Sequence, residues 1–222
     1  AKALLAKVYL FKGDYANAKT VALDVVTNGG YTLAPAATFV NYWRNPVPVA
    51  NKLETIFEIS ADGIDNNGIN SLSYFYDQAG YGDALCADDL YARYTLTDAR
   101  RGLFLTGQRP AGQNVIIVNK YTNTTNNAEK DDTKIIRYAD ILLMLAEAYA
   151  KTSDEPNALI RLNQVAQQRD PSFTGYTSSG ATLIDDIINE RRKELAFEGH
   201  RYWDLYRLNR NVTRINTNNN YP

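Results

Sequence analysis

The sequence has little of the chemistry on which many enzymes and small secreted domains depend. With a single cysteine, Cys86, it excludes an internal disulfide and a thiolate zinc site, since each needs more than one cysteine. The lone histidine, His200, lies far from Cys86 along the chain and belongs to no recognisable catalytic signature. We therefore interpret Cys86 as a small buried hydrophobic residue rather than as a catalytic thiol.

An excess of one charge and a long apolar run are also lacking. The 24 basic and 25 acidic residues give a formal net charge of −1, so there is no basic stripe of the kind that nucleic acids require. No apolar run approaches the roughly 20 residues that span a bilayer. The sequence of 222 residues, 45% of them hydrophobic, can bury a full core as one domain or as one domain with a flap.

Two amphipathic helices are predicted after Lys134, and they should form an antiparallel hairpin. Asp154 and Pro156 suit the cap and the first turn of the second helix. Apolar residues that recur three or four positions apart form the buried face of the first helix: Ile135, Tyr138, Ile141, Leu142, Leu145 and Tyr149.

A second hairpin is predicted at residues 1–28, where Gly13 can adopt a left-handed conformation and Asp14 can cap the following helix. The order of residues is similar to a tetratricopeptide repeat, which we favour over an unrelated helical hairpin. Such units bury their faces by stacking, so the two hairpins predict a mainly α fold with a shared helical scaffold.

A third helix is predicted to begin with Thr182 and Asp185, spaced as a capping box, and to end at Gly199. Three carboxylates lie one turn apart on its exposed face: Glu190, Glu194 and Glu198. Basic residues interleaved with them can neutralise the charge. A glycosidase needs two carboxyl groups across a cleft, so we interpret this stripe as structural and predict that the protein is not an enzyme.

Between residues 31 and 130 the sequence changes character and predicts an irregular, loop-rich lobe. Short strands are predicted at residues 55–60 and 114–121, and a structural contact is expected between Asp98 and Arg100. The segment DGIDNNGIN at residues 62–70 does not have calcium-loop spacing, so we interpret it as a turn and predict no metal site.

Aromatic residues are abundant, with 16 Tyr, 7 Phe and 2 Trp. Sugars present flat apolar faces beside hydroxyl groups, so rings flanked by polar side chains can both stack on them and bind them by hydrogen bonds. The candidate ligand-binding rings lie in the lobe: Tyr42, Trp43, Tyr74, Phe75, Tyr76 and Tyr81. We predict that the segment from Tyr74 to Tyr81 is a surface loop, which favours ligand contact. The alternative is that these rings pack in the lobe, and Trp43 is the first of them to assign to a core.

Three blocks of the sequence together resemble the carboxy-terminal half of the SusD/RagB family: IIRYADILLMLAEAYAK, ALIRLNQVAQQR and INERRKELAFEGHRYWDLYRL. The resemblance implies an outer-membrane lipoprotein, exposed at the cell surface of Bacteroidetes, that captures a nutrient without catalysis. The ligand it implies is most often an oligosaccharide, and the partner is a SusC-like TonB-dependent transporter. No cofactor is implied, and membrane attachment would occur through a lipid anchor outside this sequence.

The resemblance also implies which residues hold the fold together: Arg137, Glu190, Glu194, Glu198, Gly199, Arg201, Asp204 and Arg207. Among them, Arg201, Asp204 and Arg207 are expected to tie the last helix to the scaffold, and Trp203 is expected in the core.

The expected organisation is one SusD-like domain, part of a longer protein, over residues 1–222. Residues 1–30 and 131–215 form its scaffold, and residues 31–130 form a variable, ligand-facing lobe. A repeat-based adaptor for proteins and a secreted glycosidase are the alternative functions.

Overall fold

The computed structural model describes residues 1–45, 52–78, 80–82, 84–108, 112–124 and 130–211. Helices dominate, as predicted. In the described residues the α-helices are α1 (Lys2–Phe11), α2 (Tyr15–Asn28), α3 (Phe39–Arg44), α4 (Leu72–Tyr76), α5 (Asp88–Tyr91), α6 (Tyr138–Lys151), α7 (Glu155–Arg169), α8 (Gly180–Glu194) and α9 (Arg201–Arg207). The strands are short: β1 (Thr55–Ile59), β2 (Leu85–Cys86), β3 (Phe104–Gln108), β4 (Asn114–Val118) and β5 (Thr133–Arg137).

The chain divides into two compact units. The first, here called the helical unit, comprises residues 1–35, 53–58 and 134–211. The second, here called the lobe unit, comprises the described residues between 36 and 52 and between 59 and 133. The scaffold and lobe boundaries expected from the sequence stay a prediction.

Both predicted hairpins are present in the helical unit. Gly13 has a φ of +75° in the turn between α1 and α2, and the Asp14 carboxylate accepts a hydrogen bond from the backbone N–H of Asn17 at 3.2 Å. The second hairpin repeats this arrangement, since Ser153 has a φ of +62° and Asp154 caps α7. A left-handed residue followed by a capping aspartate therefore reverses the chain twice.

Helix α6 is the centre of the helical unit and packs against α1, α2, α7 and α8. Its residues 139–148 are all buried, so it has no solvent-facing stripe over this length. Small side chains let the first hairpin approach it, because Ala18 and Ala22 are each only 1% exposed. A helix that is buried all round must bury its charged side chains too, and Asp140 and Glu147 are accordingly inaccessible to solvent.

The third predicted helix differs from the structure at both ends. α8 begins at Gly180 after Ser179, so the capping box of Thr182 and Asp185 was wrong. The Glu155 carboxylate caps the start instead, accepting a hydrogen bond from Gly180 N–H at 2.8 Å. α8 ends at Glu194 rather than at Gly199, and the terminal Glu194 carbonyl accepts a hydrogen bond from Arg137 at 3.0 Å.

After α8 the chain turns and α9 begins at Arg201. Phe197 and Gly199 both have positive φ, at +64° and +79°, so the left-handed conformation expected of Gly199 is present within this turn. The prediction that Trp203 is a core residue was wrong, since it is 52% exposed. It is accompanied on α9 by two further exposed rings, Tyr202 and Tyr206.

Strands β2, β4 and β3 form a three-stranded antiparallel sheet in the lobe unit, with Phe104 opposite Val118. β1 and β5 form a two-stranded sheet. Asp98 caps the short 3-10 helix Ala99–Leu103 and binds the Arg100 guanidinium at 2.7 Å, which confirms the predicted contact and places it inside the protein. Over the described residues, no helix is both long enough and apolar enough to cross a membrane.

Candidate ligand-binding site

A buried cluster of ions joins four segments of the helical unit around Glu54. The Glu54 carboxylate accepts hydrogen bonds from Arg137, from Arg169 at 2.8 Å and from the Ala34 backbone N–H at 2.9 Å. Glu194 binds the same two arginines at 3.0 and 2.9 Å. Burial alone would lower the pKa of Arg137, but the surrounding carboxylates raise it above the ordinary value, so the guanidinium stays charged.

A second buried cluster fixes α9 to α6 and α8. Arg191 binds Asp140 at 2.8 Å and Asp204 at 2.9 Å, and Arg207 binds Glu147 at 2.5 Å. The expectation that Asp204 and Arg207 tie the last helix to the scaffold is confirmed. Arg201 is the first residue of α9 and is half-buried.

The three carboxylates of the predicted third helix were expected on an exposed face, and that expectation was wrong. Glu190 and Glu194 are buried, and the Glu198 side chain is only 2% exposed. Glu194 and Glu198 take arginine partners from other elements, while Glu190 binds Lys193 at 2.6 Å and accepts from the Tyr176 hydroxyl at 2.8 Å. Carboxylates held in this way by cations lie in the interior of the fold rather than across a cleft.

The candidate ligand-binding rings lie in the lobe unit and form one continuous chain of aromatic contacts. Tyr74 meets Tyr81 edge-on, with ring centroids 5.1 Å apart, and Tyr81 and Tyr76 each contact Phe75. The chain continues through the stacked pair of Tyr76 and Tyr121 at 5.7 Å. From Tyr121 it reaches Trp43 and Tyr42. The structure thus brings all six predicted rings together, with Tyr121 as the link between the two groups.

The rings differ in exposure, which divides their roles. Trp43 is 3% exposed and Tyr121 2%, and the Lys120 ammonium lies 3.8 Å from the centre of the Trp43 ring. Phe75 and Tyr81 are 52% and 51% exposed. Trp43 is therefore a core residue, as anticipated, whereas Phe75 and Tyr81 are exposed at the other end of the series of aromatic contacts.

Residues 72–76 form helix α4 rather than the surface loop that was expected. The Ser71 hydroxyl caps this helix by accepting from Tyr74 N–H at 3.2 Å. The preceding Gly and Asn residues concealed the helix from a periodicity argument, because one helical turn is too short to show a repeat. In the predicted turn, Asp62 accepts from two backbone N–H groups, those of Ile64 and Asp65, at 2.7 Å each.

A pocket of about 170 Å³ opens beside Tyr74 within the lobe unit. One water molecule needs only about 10–15 Å³, so the pocket has room for a larger group. The lining combines a ring and aliphatic side chains with amides, hydroxyls and charges: Ala61, Asn66, Asn67, Gly68, Ile69, Ser71, Leu72, Tyr74, Thr124, Lys130, Asp131 and Thr133. Because Tyr74 belongs to both features, the pocket and the exposed rings are neighbours.

Hydrogen bonds hold the pocket wall to α4. The Thr124 hydroxyl donates to Asp77 at 2.8 Å, and the Lys130 ammonium donates to the Thr124 carbonyl at 2.8 Å. Asp131 accepts from Asn123 through the backbone N–H at 2.9 Å and the side-chain amide at 3.1 Å. The segment that supplies Tyr121 to the ring chain thus also supplies one wall of the pocket.

Comparison with known proteins fits this arrangement. Residues 106–222, more than half of the sequence, match the SusD family. The chain belongs to the SusD family. The predicted resemblance is therefore confirmed.

Relatives of this SusD-family chain extend the match beyond those residues. SusD-like protein P38 of Formosa agariphila is 37% identical in a match that covers 43% of this chain and 21% of that protein. SusD-like protein P2 of the same organism is 28% identical in a match that covers 94% of this chain and 50% of that protein. A solved Bacteroides vulgatus protein, provisionally described as sugar binding, is 30% identical with a TM-score of 0.83. That match covers 96% of this chain and 48% of the solved one, so the chain spans half or less of each relative.

Sequence analysis of this SusD-family chain missed three residues that help to build the ring contacts, the buried ion cluster and the pocket. Tyr121 was counted as part of a strand, although a ring just after a buried strand can face its core. Arg169 lies on the same face of α7 as the apolar residues Leu162, Val165 and Ala166. This spacing could have indicated that Arg169 is buried. Lys130 carried no signal, since only the folded chain places it in the pocket.

Proposed function

We propose that this chain contributes to the non-catalytic capture of an oligosaccharide at the cell surface. The observation that carries the proposal is the chain of rings in the lobe unit, which ends in two open aromatic faces beside a polar pocket. Rings of this kind stack on the apolar face of a sugar, while amide, hydroxyl and charged groups bind its hydroxyls.

In this proposal the rings have different tasks. Phe75 and Tyr81 contact ligand, and Tyr74 joins their platform to the pocket. Tyr76, Trp43 and Tyr42 support the platform from behind through Tyr121. A pocket smaller than the roughly 300–1,000 Å³ that encloses a drug-sized molecule takes one part of a longer ligand, which suits an oligosaccharide lying across a surface.

Membership of the SusD family supports this proposal and supplies its setting. The solved relative provisionally described as sugar binding supports the ligand class. In this setting the whole protein sits on the outer membrane through a lipid anchor and passes the sugar to a SusC-like TonB-dependent transporter. In this proposal residues 31–130 are the variable, ligand-facing lobe of one SusD-like domain, and residues 1–30 and 131–215 are its helical scaffold.

Titration calorimetry with a panel of oligosaccharides tests the proposal. Phe75→Ala and Tyr81→Ala should each weaken binding of the sugar by about 1–3 kcal/mol, by analogy with the removal of rings that stack on nucleic-acid bases. Tyr206→Ala is the matched control, because it removes a ring that is 74% exposed on α9.

Loss of affinity in Tyr206→Ala but not in the two lobe variants would move the site away from the rings of the lobe. Cleavage of a bound sugar, seen as new reducing ends, would favour the glycosidase alternative. Binding of unfolded peptides in place of sugars would favour the adaptor.

A further inference from the structure

We propose that the pocket beside Tyr74 is selective for an anionic substituent, so that the captured sugar carries a carboxylate or a sulfate group bound by Lys130. This inference rests on the proposed capture of a glycan and adds the chemical class of that glycan.

Lys130 has donors to spare within the pocket. Its ammonium carries three N–H groups, and one of them donates to the Thr124 carbonyl at 2.8 Å. In the part of the chain that the structure describes, this is its only hydrogen bond, and it forms no ion pair. The side chain is half-buried, so water screens its charge less than it would at an open surface.

The acidic residues around the pocket have hydrogen-bond donors of their own. Asp131, which also lines the pocket, accepts two hydrogen bonds from Asn123. Asp77 accepts from the Thr124 hydroxyl, and Asp132 pairs with Lys52 at 2.5 Å. The carboxylates are thus tied into the wall, whereas the ammonium of Lys130 keeps two donors for a ligand.

Two further groups in the lining favour a ligand rich in acceptors. The Tyr74 hydroxyl and the Asn67 side-chain amide take part in no hydrogen bond among the described residues. Like Lys130, they can donate to the oxygens of a carboxylate or sulfate group bound in the pocket. A hydrogen bond from a neutral donor is roughly twice as strong when the acceptor is ionised, and the Lys130 ammonium attracts an anion directly, so the pocket should discriminate against an uncharged sugar.

The test compares matched ligands on the full chain by titration calorimetry. The probes are trigalacturonate, its fully methyl-esterified form, and a sulfated galactose disaccharide beside its unsulfated form. Lys130→Met should lower affinity for the anionic probes by about 10- to 100-fold and leave the neutral probes unchanged. Lys130→Arg, which keeps the charge, should retain the preference, and Lys12→Met, at an exposed position of the helical unit, should change neither.

The carboxylate and sulfate probes show which of the two groups the pocket accepts. Raising the salt concentration from about 0.05 to 0.5 M should weaken binding of the anionic probes to the unaltered chain, and it should affect their binding to Lys130→Met less. Equal binding of each acid and its neutral form, or equal loss of both in Lys130→Met, would overturn the anionic subsite while capture of glycans stands. If no oligosaccharide of any charge binds, both proposals fail.

Discussion

The buried cation of Arg137 offers a sharp test of how the helical unit is held together. Arg137 ends β5, and its side chain is 1% exposed. It donates to the carboxylates of Glu54, Glu194 and Glu198. Arg137→Met keeps a side chain of similar length and removes the charge. In that variant Arg169 still neutralises Glu54 and Glu194. Glu198 loses its ion pair with Arg137.

The magnitude follows from what is left behind rather than from the number of bonds lost. Removing one partner of a buried ion pair typically costs about 3–5 kcal/mol, because the remaining charge is neither hydrated nor paired. For a chain of this size, 1 kcal/mol corresponds to a shift of roughly 2–4 °C in the melting temperature. We therefore expect Arg137→Met to melt about 6–20 °C below the unaltered chain.

Urea unfolding followed by far-ultraviolet circular dichroism measures the free energy directly, and an unchanged m-value would show that the unfolding transition is comparable. The control is Arg210→Met, which breaks the ion pair with Asp185 at side chains 37% and 55% exposed and should cost less than about 1 kcal/mol. If Arg137→Met costs no more than Arg210→Met, the buried cluster does not stabilise the fold and the reasoning is refuted.

Three further outcomes are expected. Gly199→Ala should lower the free energy of unfolding in urea by about 1 kcal/mol, and Gly199→Val should lower it more. The reason is the φ of +79°, since a Cβ at this position would meet no neighbouring atom. An unchanged free energy of unfolding in Gly199→Val would contradict this. Burial would raise the pKa of Asp140, but Arg191 and nearby cations hold it below its ordinary value. Because unfolding restores the ordinary pKa, the free energy of unfolding should fall as the pH drops below about 4. It should fall less steeply in Asp140→Asn. If the free energy of unfolding depends on pH equally in both proteins, Asp140 is not the source. Tyr149→Ala should lower the melting temperature and spare sugar affinity, and the reverse would contradict the assignment of Tyr149 to the core.

The helical unit could be predicted because its signals are local and repeat. Apolar spacing in α6, together with Gly13 and Asp14 in a turn, requires only neighbours in the sequence. The ends of α8 could not be predicted in the same way. At these ends the terminal backbone groups are bound by Glu155 and Arg137, which are distant in the sequence.

The candidate site could be predicted by residue type but not by geometry. A concentration of rings in a polar stretch indicated the segment from Tyr74 to Tyr81, yet no periodicity could show that Tyr121 joins it to Trp43. Exposure was also hidden: Trp203 lies on the short helix α9, and seven residues give too little pattern to separate an inner face from an outer one.

The two tryptophans give the chain a built-in pair of optical reporters. Trp43 lies in the lobe unit, enclosed by Tyr121 and the Lys120 ammonium, whereas Trp203 lies in the helical unit and is half open to water. An enclosed indole emits at shorter wavelength and resists collisional quenching by acrylamide, and an open one does neither. Trp203→Phe would leave a signal from the lobe unit alone and Trp43→Phe a signal from the helical unit alone, so that the melting of each unit could be followed by fluorescence in its own variant.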